Sequence, residues 1–404
     1  MDALTLTIMA RGVDPVGDLR PLLDQFEAEY HVPVHVDAFS WATGWASLVK
    51  LALYKTGADV SEVGTNWVGN LVTMMALHPF HKTELAALGA PSAFLPTAWQ
   101  GGSVLGEKEV WAVPWLADTR LIYYRRDWLQ QAGIDEASAF LTPAALKQTL
   151  GQLRASGVSA TPWIVVTQST SLTLHNVSGW VWAAGGDWIS PDGKRILFDQ
   201  PEARAGLKAY FDLHRYMLPA ARSLNSVPSS DALFLQEKAA MTISGPWLML
   251  LNMAPSPFPD LMARVGAALP PGGMPFVGGS HLVVWEHSPR QRLAVELVRF
   301  LTSRQAQAAY CPLGSLLPVR LDVLHESPYA DHPVLKVLVE GVKAGRTFPN
   351  FPLWGLIEDG LVAMLNQIWQ DVLAGDELDL DEIIARRVEP LARTLNMVLA
   401  QDRL

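Results

Sequence analysis

Residues Phe234 to Met249 read Phe-Leu-Gln-Glu-Lys-Ala-Ala-Met-Thr-Ile-Ser-Gly-Pro-Trp-Leu-Met. Leu233, Phe234 and Glu237 fall at helical spacing, so a helix is expected to end near Lys238, and Ala239 to Ile243 then alternates as a short buried strand. Ser244-Gly245-Pro246 predicts a tight turn, because Gly carries no Cβ and Pro fixes φ. Trp247 follows directly, a large aromatic on a rigid turn. A fixed indole loses little entropy when a ligand lies against it, which suits a binding platform. Taken alone, the same Trp would be read as core; the surrounding pattern gives it another use.

Outward from that stretch, the whole chain sets limits. A chain of 404 residues predicts two domains rather than one core. Half the residues are hydrophobic and 18% are charged, which excludes a disordered chain. A net charge of −9 gives no electrostatic footprint for nucleic acid, disfavours polyanionic ligands and suits a neutral one. The single cysteine, Cys311, rules out an internal disulfide and leaves the compartment open. No apolar run approaches the ~18 residues of a membrane span. The N-terminus shows no signal peptide and begins with the strand-like Leu4 to Ile8, as the mature form of an exported protein or a cytosolic protein would. Fifteen Trp are more than a core of this size needs and hint at a flat-faced ligand.

The first hundred residues alternate strand and helix. Leu4 to Met9 predicts a strand, and from Asp18 a helix with Leu19, Leu22, Leu23, Phe26 and Tyr30 on one face. Val32, Val34, Val36 and Ala38 alternate as a second strand; Trp45, Leu48, Val49 and Ala52 mark a helix; Ala58 to Val63 is a third strand. This order predicts an α/β layer with a mainly parallel sheet and ligands at the carboxyl ends of strands, where Trp41, Asn66 and Trp67 fall. Val113 to Tyr124 reads as an extended segment, with a domain boundary near Pro114 to Asp118. Trp180 and Trp182 lie two apart on a helix, so one of them at most faces a ligand. Val265 to Leu269 predicts a strand; Gly278-Gly279-Ser280 predicts a loop that lets backbone approach a ligand before a strand at Leu282 to Trp285. The remainder reads as helical, interrupted by a loop from Phe348 to Trp354.

No catalytic constellation is found: no Gly-x-Ser-x-Gly elbow, His-Glu-x-x-His, phosphate loop or dinucleotide fingerprint. Cys311 has no evident base, and His175 has no second ligand at metal spacing, so it reads as a hydrogen-bonding residue. The expectation is a binding protein and not an enzyme, without cofactor or metal.

With these residues in view, the chain resembles extracellular solute-binding proteins of family 1, the carbohydrate receptors of ABC importers, with maltose-binding protein as a distant relative. The resemblance covers nearly the whole chain. It rests on Phe234 to Trp247, Gly64-Thr-Asn-Trp67, Pro114 to Asp118 running into Leu121 to Tyr124, Phe276 to Ser280, and Phe300 to Ser303 followed by Tyr310 and Leu317-Pro318. It departs in lacking an export signal and a lipidation cysteine. The resemblance implies a type II periplasmic-binding-protein-like α/β fold: two lobes, each a central β-sheet flanked by helices, with a hinged cleft between them. It implies residues 1–114 with 265–318 in the first lobe, and 115–264 with 319–404, including the C-terminal helices, in the second. It also implies a monomer outside the cytoplasm, in the periplasm or anchored at the membrane's outer face by a segment absent here, that hands sugar to ABC permease transmembrane subunits and binds no nucleic acid.

A sugar ring has apolar C–H faces and an equator of hydroxyls, so aromatic platforms cover the faces and polar groups meet the hydroxyls. Trp247 is the expected principal platform, with Trp354, Trp67, Trp41 and Trp180 as further ones. Asp118 is expected to accept from hydroxyls, Asn66 and His175 to add polar contacts, and Gly279 and Ser280 to offer backbone and hydroxyl groups. The alternatives are a glycerol-phosphate or polyol receptor of the same fold, which needs convergent Arg or Lys, and a carbohydrate-active enzyme.

Overall fold

The Leu-Thr-Leu-Thr-Ile run at the N-terminus forms β1, which lies one strand in from the edge of a six-stranded sheet. The computed structural model describes residues 3–12, 14–159, 161–168, 171–217, 227–250, 258–313, 316–375 and 379–401. The sequence segment Leu313 to Pro318 therefore has its residues 314–315 outside the described set. Strands β1 (Leu4–Met9), β2 (Val34–Phe39) and β3 (Val60–Gly64) run parallel, β1 pairing in register with both neighbours. The intervening helices Pro15–Tyr30 and Trp41–Tyr54 are crossover elements, capped by Asp14 and Ser40 side chains that accept from backbone N–H groups. The first begins three residues earlier than its apolar stripe suggests, because Pro15 and the Asp14 cap set its start.

The remaining strands are β4 (Val113–Thr119), β5 (Leu121–Arg125), β6 (Trp163–Ile164), β7 (Met241–Ser244), β8 (Val265–Ala268), β9 (Val277–Val284) and β10 (Leu317–Pro318). Among the described residues the sheets have the orders β10-β4-β9-β3-β1-β2 and β6-β7-β5-β8. The expected parallel pairing is seen among β1 to β3 and again between β6 and β7. β9 returns antiparallel beside β3, β10 is antiparallel to β4, and β5 is antiparallel to both β7 and β8.

The chain divides into two compact α/β units, residues 1–118 with 277–343 and 347–355, and residues 119–276 with 344–346 and 356–404. The lobe boundaries expected from sequence need three corrections. Residues 265–276 belong with the second unit, because β8 pairs with β5 from Ile122↔Ala268 to Arg125↔Val265. Residues 115–118 belong with the first, since β4 lies in its sheet. Much of 319–355 also belongs with the first: Val319 O accepts from Leu95 N–H, and the buried Asn350 accepts from Gly69 N–H at 2.8 Å and donates to Gly101 O.

The glycines expected in a loop before β9 lie inside it. Gly279 has φ +135°, and a Cβ there would come within 2.0 Å of Leu116 O on β4, so only glycine lets the two strands approach. No helix among the described residues is long and apolar enough to cross a membrane.

Candidate ligand-binding site

The second unit gathers charge and aromatic surface at the carboxyl end of β7. The helix Val227–Leu235 leads through a turn into β7, and the short helix Pro246–Leu250 follows it. This brings Asp231 back over the end of the strand. Its Oδ2 accepts from Ser244 Oγ at 2.9 Å and from the indole Nε1 of Trp247 at 3.0 Å. The guanidinium of Arg120, in the link between β4 and β5, stands 4.9 Å from the centre of the Trp247 ring. Below the indole is Gly245, where a Cβ would lie 2.2 Å from Trp247 Cζ3. Gly245 is therefore needed for close approach and has no positive φ. Tyr123 on β5 donates to Gly245 O at 2.8 Å and ties the turn to the sheet. Trp247 is half-buried and fixed at its nitrogen, its ring face and its benzo edge.

Arg120 also reaches His175 on the helix Ser171–Ala183, with Nη2 3.2 Å from Nδ1. The His175 ring stacks on Phe276 at 4.1 Å and 9°, while Thr119 Oγ1 donates to Phe276 O at 2.8 Å. Burial, reinforced by the Arg120 charge, holds His175 well below its ordinary pKa, so it is neutral and Nδ1 accepts from Arg120. A narrow, largely apolar crevice beside the cluster is lined by Arg120, His175, Asn176, Trp180, Pro275 and Phe276.

Asp231 is the titrating member. Burial pushes its carboxyl up from 3.8 to about 7, against the pull of the Ser244 and Trp247 hydrogen bonds and the Arg120 charge. Between those two values the folded protein keeps a proton that the unfolded chain has lost, so stability falls as pH rises through this window and levels off above it. From pH 5 to pH 8 this group should cost the wild type about 3 kcal/mol. Asp231→Asn keeps an acceptor for the indole and should lose that pH-dependent component. Denaturant unfolding of both proteins at the two pH values checks this, and parallel pH profiles would reject it.

The first unit carries a second aromatic group. Trp41, 43% exposed, opens its helix, and its ring lies 5.6 Å from that of Trp67. Trp45 also packs on Trp67, with ring centres 5.8 Å apart. Asn66 and Trp67 lie in the single turn Thr65–Trp67 directly after β3, as the strand-end reading expects. Asp118 is the penultimate residue of β4 and is partly buried. Thr65 Oγ1 reaches Gly279 O at 3.2 Å and His281 Nδ1 at 3.3 Å, while the opposite ring nitrogen of His281 donates to Ala98 O at 2.9 Å. Burial lowers the His281 pKa to about 4, so this ring is a neutral packing element.

Three expected contacts are corrected. Trp354 is completely buried, packed on Phe348 at 4.8 Å and Phe351 at 6.2 Å. Trp180 is 1% exposed, with Tyr210 edge-on at 5.2 Å. Both are core residues, so neither presents a ring face to solvent. Ser280 is 1% exposed inside β9, paired opposite Gly64, and offers no surface hydroxyl. Asp231, Arg120, Tyr123 and Phe276 were missed by the sequence reading. Arg120, Tyr123 and Phe276 had a usable signal, since Arg120 stands between the segments Pro114 to Asp118 and Leu121 to Tyr124, Tyr123 lies in the latter, and Phe276 opens the segment to Ser280.

A family model described as bacterial extracellular solute-binding protein matches residues 22–337. A probable ABC transporter-binding protein of Deinococcus radiodurans is 26% identical over 302 residues, covering 69% of this chain and 70% of that protein. The diacetylchitobiose binding protein DasA of Streptomyces coelicolor is 21% identical, covering 89% of this chain and 82% of the relative. Among solved structures, an ABC transporter solute binding protein from Thermotoga lettingae bound with α-D-tagatose superposes with a TM-score of 0.81 at 23% identity, covering 98% of this chain and all of the other. Maltose-bound MalE3 of T. maritima gives 0.81 at 21% identity, with 98% and 100% coverage. At these identities the structural likeness establishes the fold.

Proposed function

Because the chain belongs to the family of bacterial extracellular solute-binding proteins, we propose that it is the receptor of an ABC sugar importer, binding a neutral mono- or oligosaccharide outside the cytoplasm and passing it to membrane permease subunits. The observation that carries this reading is the immobilised, half-buried indole of Trp247, fixed by Asp231, Arg120 and Gly245. A ring that cannot reorient is a ready platform for the C–H face of a sugar. The tagatose and maltose in the solved structures and the diacetylchitobiose of the Streptomyces relative support the same class. In the first unit, Trp41 and Trp67 with Asn66 and Asp118 are a second group of aromatic and polar side chains of the kind that a sugar binds. Gly279 adds backbone groups, and His175 acts through Arg120.

Arg120 is the observation that favours the polyol-phosphate reading. It is 5% exposed and engaged with the Trp247 face, Thr119 O and His175. A cation so engaged is poorly placed to meet a phosphate, and the neutral sugar ranks first. Calorimetry of the purified chain against mono- and oligosaccharides and glycerol phosphate tests both. The expected result is saturable binding of at least one neutral sugar with the sugar recovered unchanged. Binding of glycerol phosphate alone, or release of a cleaved product, would overturn it.

A further inference from the structure

The first unit also holds a constellation that the sugar reading does not use. We propose that His78, His81 and Glu84 form a surface binding site for a divalent transition metal of the zinc class, with Glu286 as its outer carboxylate. One ligand atom from each of the three side chains lies within 4.8 Å of the other two. The sequence His-Pro-Phe-His-Lys-Thr-Glu supplies them at i, i+3 and i+6, a spacing the sequence reading passed over when it expected no metal.

The backbone fixes this arrangement. Leu77 bridges Trp285 and Phe80 bridges Val110, so the segment between them is pinned at both ends. His78 N–H donates to Val284 O at 2.9 Å, and Glu286 N–H donates to Ala76 O at 2.9 Å, which brings Glu286 alongside His78. The helix Lys82–Ala87 begins immediately after His81. Glu84, three residues on, accepts from His81 N–H through Oε2 at 2.7 Å, leaving Oε1 for another partner. The two imidazoles stand edge to face, 5.3 Å apart at 86°. Glu286 Oε2 lies 3.7 Å from His78 Nδ1, near enough for a carboxylate to orient a ligating imidazole from outside the ligand set.

The donor set selects the metal. Two imidazoles and one carboxylate suit zinc, which takes nitrogen and oxygen ligands at ~2.0–2.1 Å in a tetrahedron, whereas calcium and magnesium take oxygen. Such bonds imply ligand separations of about 3.4 Å, so the side chains close in by at most about 1.4 Å, within the reach of small χ rotations. Water fills the fourth position. His81 is exposed and the His78 side chain is 13% exposed, so an aqueous ion has access. Occupied, the site ties the helix at Lys82 to the segment beside β9.

The test uses the full chain freed of any purification tag and stripped with chelator. Calorimetry with Zn2+ should show one site per chain. His81→Ala should weaken it by more than the loss caused by Glu286→Gln, and removal of such an outer partner costs about tenfold. Glu84→Gln should weaken it too. His35→Ala, at the exposed His35–Asp37 pair, should leave it unchanged. Circular dichroism shows that each variant is folded. Binding lost in His81→Ala and Glu84→Gln but kept in His35→Ala supports the site. Absence of stoichiometric binding, or equal binding in all variants, overturns it. Sugar affinity is measured separately and is not part of this outcome.

Discussion

Trp247→Ala should weaken sugar binding by about fiftyfold or more, roughly 2.3 kcal/mol, the range of an aromatic hot spot. The side chain is half-buried, so truncation removes the surface on which a sugar face rests while leaving the strands β5 and β7 paired. Titration calorimetry gives the affinity, and thermal unfolding shows that the fold survives. Gly245→Ala tests the same idea without removing the ring. A methyl 2.2 Å from Trp247 Cζ3 cannot coexist with the present rotamer, so the indole must leave its position. If fixation of the ring is what matters, this variant loses affinity to a similar degree. If Trp247→Ala binds as tightly as the wild type, another residue is the platform.

The same truncation at Trp354 separates the two uses of tryptophan. Trp354 has no exposed surface and is packed on Phe348 and Phe351, so its loss acts on stability through a cavity and leaves the intrinsic sugar affinity of the folded fraction intact. Sequence could not make this distinction. Trp180, Trp247 and Trp354 each adjoin apolar residues at helical spacing, and only the folded chain shows which one remains partly open. Local patterns were legible in part: β1, β2 and β3 form where the sequence reads as strand, although β1 and β3 are buried almost throughout, while the turn expected at Ser244 to Pro246 is a direct passage from β7 through Gly245 into the helix that carries Trp247. What was not legible depends on distant partners. Asp231 reaches Trp247 across 16 residues because the helix carrying it folds back over β7. Val265 to Ala268 reads as a strand in sequence, but nothing local says that its partner is β5. The glycines before β9 read as a loop, and it is the proximity of β4 that makes them strand.

Arg11→Met should destabilise the protein by about 3–5 kcal/mol, the cost of leaving a buried charge without its partner. Glu62 lies on β3, and its side chain is wholly buried; Arg11, just past the end of β1, forms its ion pair with only 8% of the side chain exposed. Glu62 Oε2 also accepts from Met9 N–H at 2.7 Å, and Arg11 reaches Tyr310 OH at 3.4 Å. The guanidinium stands 5.7 Å from the Trp115 ring, which stacks on Tyr310. Burial alone would lower the Arg11 pKa, but Glu62 and Tyr310 outweigh it and raise it, so the cation belongs to the folded state. Methionine fills the volume of the arginine stem and leaves the Glu62 carboxylate in an apolar surrounding, where it must either take a proton or open the loop after β1. Glu62→Gln in the same chain removes the stranded charge while keeping an acceptor for Met9 N–H. The double variant should therefore recover much of the stability lost in Arg11→Met, and chemical denaturation of the two single variants and the double gives the coupling directly. Additive losses would mean that the pair acts through shape and not through charge.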